Sequence, residues 1–126
     1  MPDIFVSYAR EDREWVKLLA SRLREVGQWH VWWDLKLLPG QQFDEEIENV
    51  LDQARCVIVV WSPHSIGSRW VRSEAREGVQ RGVLVPLRIQ DVLPPLEFRS
   101  FETADLSNWN GDGAHSDFVE VVQVVE

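Results

Sequence analysis

Cysteine occurs once in these 126 residues, at Cys56, so no internal disulfide can form; set inside an apolar run, it reads as a small buried hydrophobe. Such sparing use of thiols points to a reducing, cytoplasmic setting. Long apolar runs are missing too. None reaches the roughly 20 residues that span a bilayer, and Met1-Pro2-Asp3 opens without a basic-then-apolar signal region. The expectation is a soluble protein with no membrane partner. Basic charge is also in short supply, with 13 Lys and Arg against 21 Asp and Glu and a net charge of -8. Nucleic acid is therefore not an expected partner, since only a local basic patch would override that mean.

Glycine is absent where a phosphate loop would need it. Ser7-Tyr8-Ala9-Arg10 follows the first apolar run in place of a glycine fingerprint, which argues against a hydride-transfer nucleotide site and against a P-loop. The three histidines, His30, His64 and His115, are scattered and share no ligand spacing with Cys56, so no metal is expected. A phosphoacceptor receiver domain would carry an acidic pair after its first strand and an aspartate closing its third. Tyr8 and Ser62 stand in those places. A serine hydrolase would hold its serine on a glycine-flanked elbow, which neither Ser62 nor Ser65 provides.

What is present is the balance of an ordinary folded protein, 44% hydrophobic and 27% charged, read as one domain over residues 1–126. Residues 3–8 are a short apolar run that stops at polar residues. From Glu11 the period changes, and Trp15, Leu19, Leu23 and Val26 form a stripe ended by Gly27, so a helix follows a strand. Residues 30–34 read as a second strand, in which the adjacent Trp32 and Trp33 must face opposite sides; residues 35–40 are a loop turning at Pro39-Gly40. Phe43, Ile47, Val50 or Leu51, and Ala54 recur at helical spacing. Residues 55–61 are apolar on both faces, as a central parallel strand would be. Val71, Ala75 and Val79 mark a third helix, 82–89 a fourth strand, 101–106 a short edge strand, and Phe118, Val121, Val122 and Val125 a closing helix. Residues 90–99, with Pro94-Pro95, are irregular.

This alternation predicts an α/β three-layer sandwich with a mostly parallel sheet and helices on both faces. In such sheets ligands sit beyond the carboxyl ends of the strands, near the switch in strand order. The polar residues at those ends are Ser7, Tyr8 and Arg10, then Asp34 and Lys36, then Ser62 and His64, with Glu74 on the following helix. Trp70 and Glu74 lie four apart in Ser68-Arg69-Trp70-Val71-Arg72-Ser73-Glu74, a spacing that sets an indole beside a carboxylate. An aromatic plate and a lone acid suit cleavage of a glycosidic bond. The structural alternative is a core tryptophan next to a solvated glutamate.

Four blocks, in order, are residues 3–12, Asp34 through Pro39-Gly40 with Phe43 and Ile47, Trp61-Ser62-Pro63-His64-Ser65, and the Ser68 to Glu74 segment. Together they resemble the signature of a Toll/interleukin-1 receptor (TIR) domain, closest to the prokaryotic branch, over about residues 3–125. The resemblance implies a flavodoxin-like fold of five parallel strands. For many bacterial, plant and some animal members it also implies cleavage of NAD to nicotinamide and ADP-ribose or a cyclic isomer, in signalling or antiphage defence. Carried over residue by residue, it makes Glu74 catalytic and Tyr8, Ala9, Arg10, Asp34, Lys36 and Trp70 substrate-binding. It assigns Leu37, Leu38, Pro39 and Gly40 to head-to-tail self-association with other TIR domains. NAD enters as substrate, and no cofactor is implied. Two departures bear on the role: Leu35-Lys36 stands where animal receptors carry Arg-Asp, and Asn108-Trp109 is only a faint match to the receptors' third block. Both weigh against a receptor adaptor. A non-enzymatic TIR interaction module and a nucleoside deoxyribosyltransferase-like enzyme, which shares the layer order, are the competing readings.

Overall fold

The computed structural model describes residues 3–33, 43–112 and 115–125. In chain order, β1 (Ile4–Ser7) is followed by a 3-10 turn (Arg10–Asp12) and α1 (Arg13–Gly27), then β2 (Val31–Trp32), α2 (Phe43–Gln53), β3 (Cys56–Trp61) and α3 (Arg69–Arg81). After these come β4 (Leu84–Arg88), a second 3-10 turn (Leu96–Phe98), β5 (Ala104–Asp105) and α4 (Ser116–Val125). The strands form one parallel sheet in the order β2-β1-β3-β4-β5. This is the flavodoxin-like order, whose switch point lies between β1 and β3.

Strand parity divides the core, because successive side chains leave a strand on opposite faces. Ile4 and Val6 of β1, with Ile58 and Val60 of β3, pack under Val16, Leu19 and Leu23 of α1 and Phe118 and Val121 of α4. The intervening residues face the other layer: Phe5 and Val57 meet Ile47 and Leu51 of α2, while Val59 and Trp61 meet Val71 and Ala75 of α3. β3 is buried along its whole length, as its two-sided apolar run predicts. The tryptophan pair separates as expected. Trp32 stacks on Phe5 with ring centroids 5.0 Å apart, on the α2 side, while Trp33 packs against the α1 and α4 cluster. Pro86 sits inside β4 because Val57 N bonds Val83 O and Ile89 N bonds Trp61 O; alternation then turns its donorless nitrogen away from β3, toward short β5.

Several expected boundaries shift. β2 stops at Trp32 because the Trp33 carbonyl accepts the Tyr8 hydroxyl at 2.6 Å instead of a strand partner. The edge strand expected over 101–106 shrinks to Ala104–Asp105. Phe101 is exposed, and Asp105 Oδ1 accepts both Ser107 N (3.0 Å) and Ser107 Oγ (2.6 Å), turning the chain out of the sheet. Val26, assigned to the buried stripe of α1, is 50% exposed at the helix's last turn. Gly27 closes that helix by clearance: a Cβ there would lie 2.4 Å from the Trp29 ring, while Gln28 takes the left-handed cap at φ 55°. Asp34, Lys36 and the loop residues Leu37, Leu38, Pro39 and Gly40 lie outside the described residues.

Candidate active site

At the carboxyl end of β1 a cleft of about 280 Å³ opens between the strand ends and the first turns of α1 and α3. Its floor is Glu74. Four residues earlier Trp70 forms a wall, and across from them stand Tyr8, Arg10 and Arg13, with Trp32 and Trp33 closing the β2 side. A second depression of about 530 Å³ lies between α2 and α3, lined by Glu48, Asp52, Ser73 and Glu77. Both reach Glu74, with Trp70 standing between them.

The helix periodicity of α3 explains why an acid is at the bottom. Val71, Ala75 and Gly78 form its buried stripe, and Glu74 falls on the same stripe. The side chain is therefore 6% exposed, while Trp70, one position off the stripe, is 42% exposed. The alternative of a core tryptophan beside a solvated glutamate is inverted. Ser7 Oγ donates to Glu74 Oε1 at 2.6 Å, both groups being buried. Burial pushes the Glu74 carboxyl up to about 7, against hydrogen bonds from the Ser7 and Trp70 side chains that hold it down. A carboxyl so placed changes charge near neutrality inside a cleft, a recurring property of catalytic acids.

The opposite wall is cationic. Arg10 is exposed in the 3-10 turn, and Arg13 opens α1 with its guanidinium 5.2 Å over the Trp33 ring. Such stacking orients a guanidinium while leaving edge N–H groups for an anion. Tyr8 reaches across to the Trp33 carbonyl and ties the end of β2 to the β1 loop. Of the expected substrate contacts, Tyr8, Arg10 and Trp70 thus come together around Glu74, whereas Ala9 is buried and does not line the cleft. Arg13, Trp32 and Trp33 join the site without having been singled out for it. Arg13 carried a signal, lying one helical turn beyond Arg10.

The polar residues after β3 serve elsewhere. Ser62 Oγ donates to Asp12 Oδ2 at 2.5 Å and accepts from His64 N and Ser65 N, and Ser65 Oγ donates to the Val60 carbonyl at 2.7 Å. This buried brace ties the β3 exit to the start of α1. None of the three lines the cleft. Among the described residues no cluster of His, Cys, Asp or Glu is arranged to hold a metal ion, and no helix is long and apolar enough to cross a membrane.

Fold and cleft together define a flavodoxin-like α/β domain with a buried acid at the switch point of its sheet. The chain belongs to the TIR-domain family, whose family model matches residues 4–121. Solved structures share the fold at low identity. The TIR domain of the Toll-related receptor TRR-2 from Hydra magnipapillata superposes with a TM-score of 0.83 at 20% identity, covering 99% of this chain and 98% of that one. The TIR domains of the activated Roq1 resistosome, which recognises the pathogen effector XopQ, give 0.73 at 18% identity with full coverage of both chains. A TIR-STING receptor from C. gigas in complex with 2',3'-cGAMP gives 0.79 at 20%, covering 99% of this chain and 39% of that one. No curated protein matches the sequence.

Proposed function

We propose that this TIR domain is an NAD glycohydrolase, cleaving the nicotinamide–ribose bond to release nicotinamide and ADP-ribose or a cyclic isomer. The carrying observation is Glu74: one buried carboxyl, titrating near neutrality, at the bottom of a cleft whose facing wall is cationic. An ordinary O-glycoside typically needs two carboxyl groups, since its leaving oxygen must be protonated. In NAD the leaving ring nitrogen is already cationic and departs neutral, so no general acid is required. What remains is stabilisation of positive charge on the ribose, which a preorganised carboxylate in a partly dry site supplies. Trp70 offers a π face to the flat cationic ring, worth roughly 0.5 to 2 kcal/mol. Arg10 and Arg13 bind diphosphate oxygens; Asp34 and Lys36 are assigned to the same substrate by family resemblance.

The second reading is a non-enzymatic module that acts by TIR–TIR assembly in signalling; the likeness to the Roq1 resistosome TIR domains favours it. Incubation of concentrated protein with NAD, followed by product identification, separates the two. Glu74→Gln keeps the shape and removes the charge, so turnover should fall about 100- to 1000-fold, the loss seen when one preorganised electrostatic group is removed. Full activity in a folded Glu74→Gln protein would sink the catalytic assignment. No turnover by the parent at any concentration leaves the assembly module.

A further inference from the structure

We propose that Ser7 is the positioning residue of this site, a deepening that rests on the NAD-cleaving reading: from the end of β1 its hydroxyl donates to Glu74 Oε1 and holds the carboxylate in register with the cationic wall. Three observations carry this. First, Ser7 is the one polar side chain of β1 (Ile4–Ser7), and strand parity sends it with Phe5 toward the α2 and α3 layer. It is 1% exposed, so its hydroxyl is not serving solvent. Second, the bond is 2.6 Å long, between buried groups 67 residues apart, the short geometry of a donor to a carboxylate. Third, the two donors to Glu74 differ in where they are mounted. Trp70 rides on the same helix as the acid and moves with it. Ser7 is mounted on the sheet, one residue before Tyr8 and three before Arg10, so its bond ties α3 to the strand whose loop carries the substrate contacts.

A serine with no such task would be exchangeable for alanine at little cost, because a buried hydroxyl without a partner only loses hydration. Here its removal withdraws a donor from a carboxylate that already bears a desolvation penalty. Among the described residues the charged groups lining the two depressions that reach Glu74 are Arg10 and Arg13 from the β1 loop and α1, Glu48 and Asp52 from α2, and Glu77 on α3 itself. Ser7→Ala leaves all of them in place, so any change in the acid's titration reports the hydroxyl.

The test uses the whole chain in three forms: parent, Ser7→Ala and Ser7→Thr. Ser7→Ala should lower kcat at least about tenfold with KM held within about twofold, the signature of an interaction made in the transition state. The Glu74 titration, followed by carboxyl carbon-13 NMR, should move up by about one unit, and Ser7→Thr, which keeps a hydroxyl, should restore both. In the parent the Ser7 Cβ resonance should titrate with the same midpoint as the Glu74 carboxyl, a measurement that needs no variant to fold. A Glu74 midpoint unmoved in Ser7→Ala, or distinct midpoints for the two residues in the parent, overturns the proposal. Absence of NAD turnover in the parent overturns only the underlying reading, because the NMR titration still decides whether Ser7 positions the acid.

Discussion

Burying Glu74 costs the fold stability. Its ordinary carboxyl value of 4.5 applies in the unfolded chain, whereas burial raises it to about 7 in the native protein. Between those pH values the native state holds a proton that the unfolded state has released, so stability falls as pH rises through that window and the full cost stands above about 7. At about 1.4 kcal/mol per unit, that cost is of order 3 kcal/mol. Glu74→Gln should therefore raise Tm relative to the parent at pH 8, with the gap closing near pH 5; melting curves at the two pH values check this, and a variant less stable at pH 8 contradicts it. The same titration gives the proposed NAD cleavage a pH profile. kcat/KM should climb as pH passes through about 7, because the carboxylate, not the acid, stabilises the developing cation. Cys56, at the opposite end of the sheet, is pushed up to about 12 by burial. It should resist thiol–disulfide exchange with a coloured disulfide reagent in the native state at pH 8 and react on unfolding, the released chromophoric thiolate being the readout.

The element that places the acid is α3, and its ends and its approach to the sheet are specified separately. Ser68 caps the amino end, its hydroxyl accepting from Val71 N at 3.2 Å, and Gly82 closes the other end in the left-handed region at φ 72°. One turn past Glu74, Gly78 lets the helix close on β3 and β4: a Cβ there would meet Val57 Cβ at 3.2 Å and Leu84 Cδ1 at 3.3 Å. Ser68→Ala should cost about 1 kcal/mol, Gly82→Ala roughly 1 to 2 kcal/mol because an L residue is strained at that φ, and each should leave kcat near the parent's. Gly78→Val should do more. A branched side chain at that contact pushes α3 off the sheet, costing about 1 to 3 kcal/mol and lengthening the Ser7–Glu74 bond. Denaturant melts with NAD turnover on the same samples separate the two classes, and a Gly78→Val protein with parental stability would mean that the helix has room to spare.

At the scale of the molecule, self-association is the open function. In the second reading proposed above the partner is another TIR domain, and resemblance assigns the contact to Leu37, Leu38, Pro39 and Gly40. Head-to-tail contacts close into rings or grow into filaments according to the rotation between neighbouring copies. A net charge of -8 opposes the growth at low ionic strength, so added salt should favour assembly as it screens like charges. NAD turnover per mole should rise with protein concentration, and Leu38→Asp combined with Gly40→Arg should lower it and remove that dependence. Turnover across a concentration series, with light scattering on each sample, is decisive. A flat series in which the double variant matches the parent means that the domain works as a monomer.

Much of this was legible in the chain. Short apolar runs and helical spacing located the five strands and four helices seen among the described residues, the two-sided apolar run marked β3 as central, and the Trp70–Glu74 spacing singled out the acid. Even the burial of Glu74 was present in the pattern, since it shares the face of Val71, Ala75 and Gly78. Local pattern works there because the side-chain direction of a regular element is set by its own backbone. Tertiary structure alone decided which residues meet. Ser7 and Glu74 are brought together across 67 positions by strand order and helix approach, Arg13 is turned into the cleft by its seat on Trp33, and Ala9 is turned inward. β5 ends in a local Asp105–Ser107 turn, whereas the end of β2 was set from elsewhere, by the Tyr8 hydroxyl on the Trp33 carbonyl. Contacts of that kind depend on how elements dock, and docking is a property of the assembled core that no window of sequence contains.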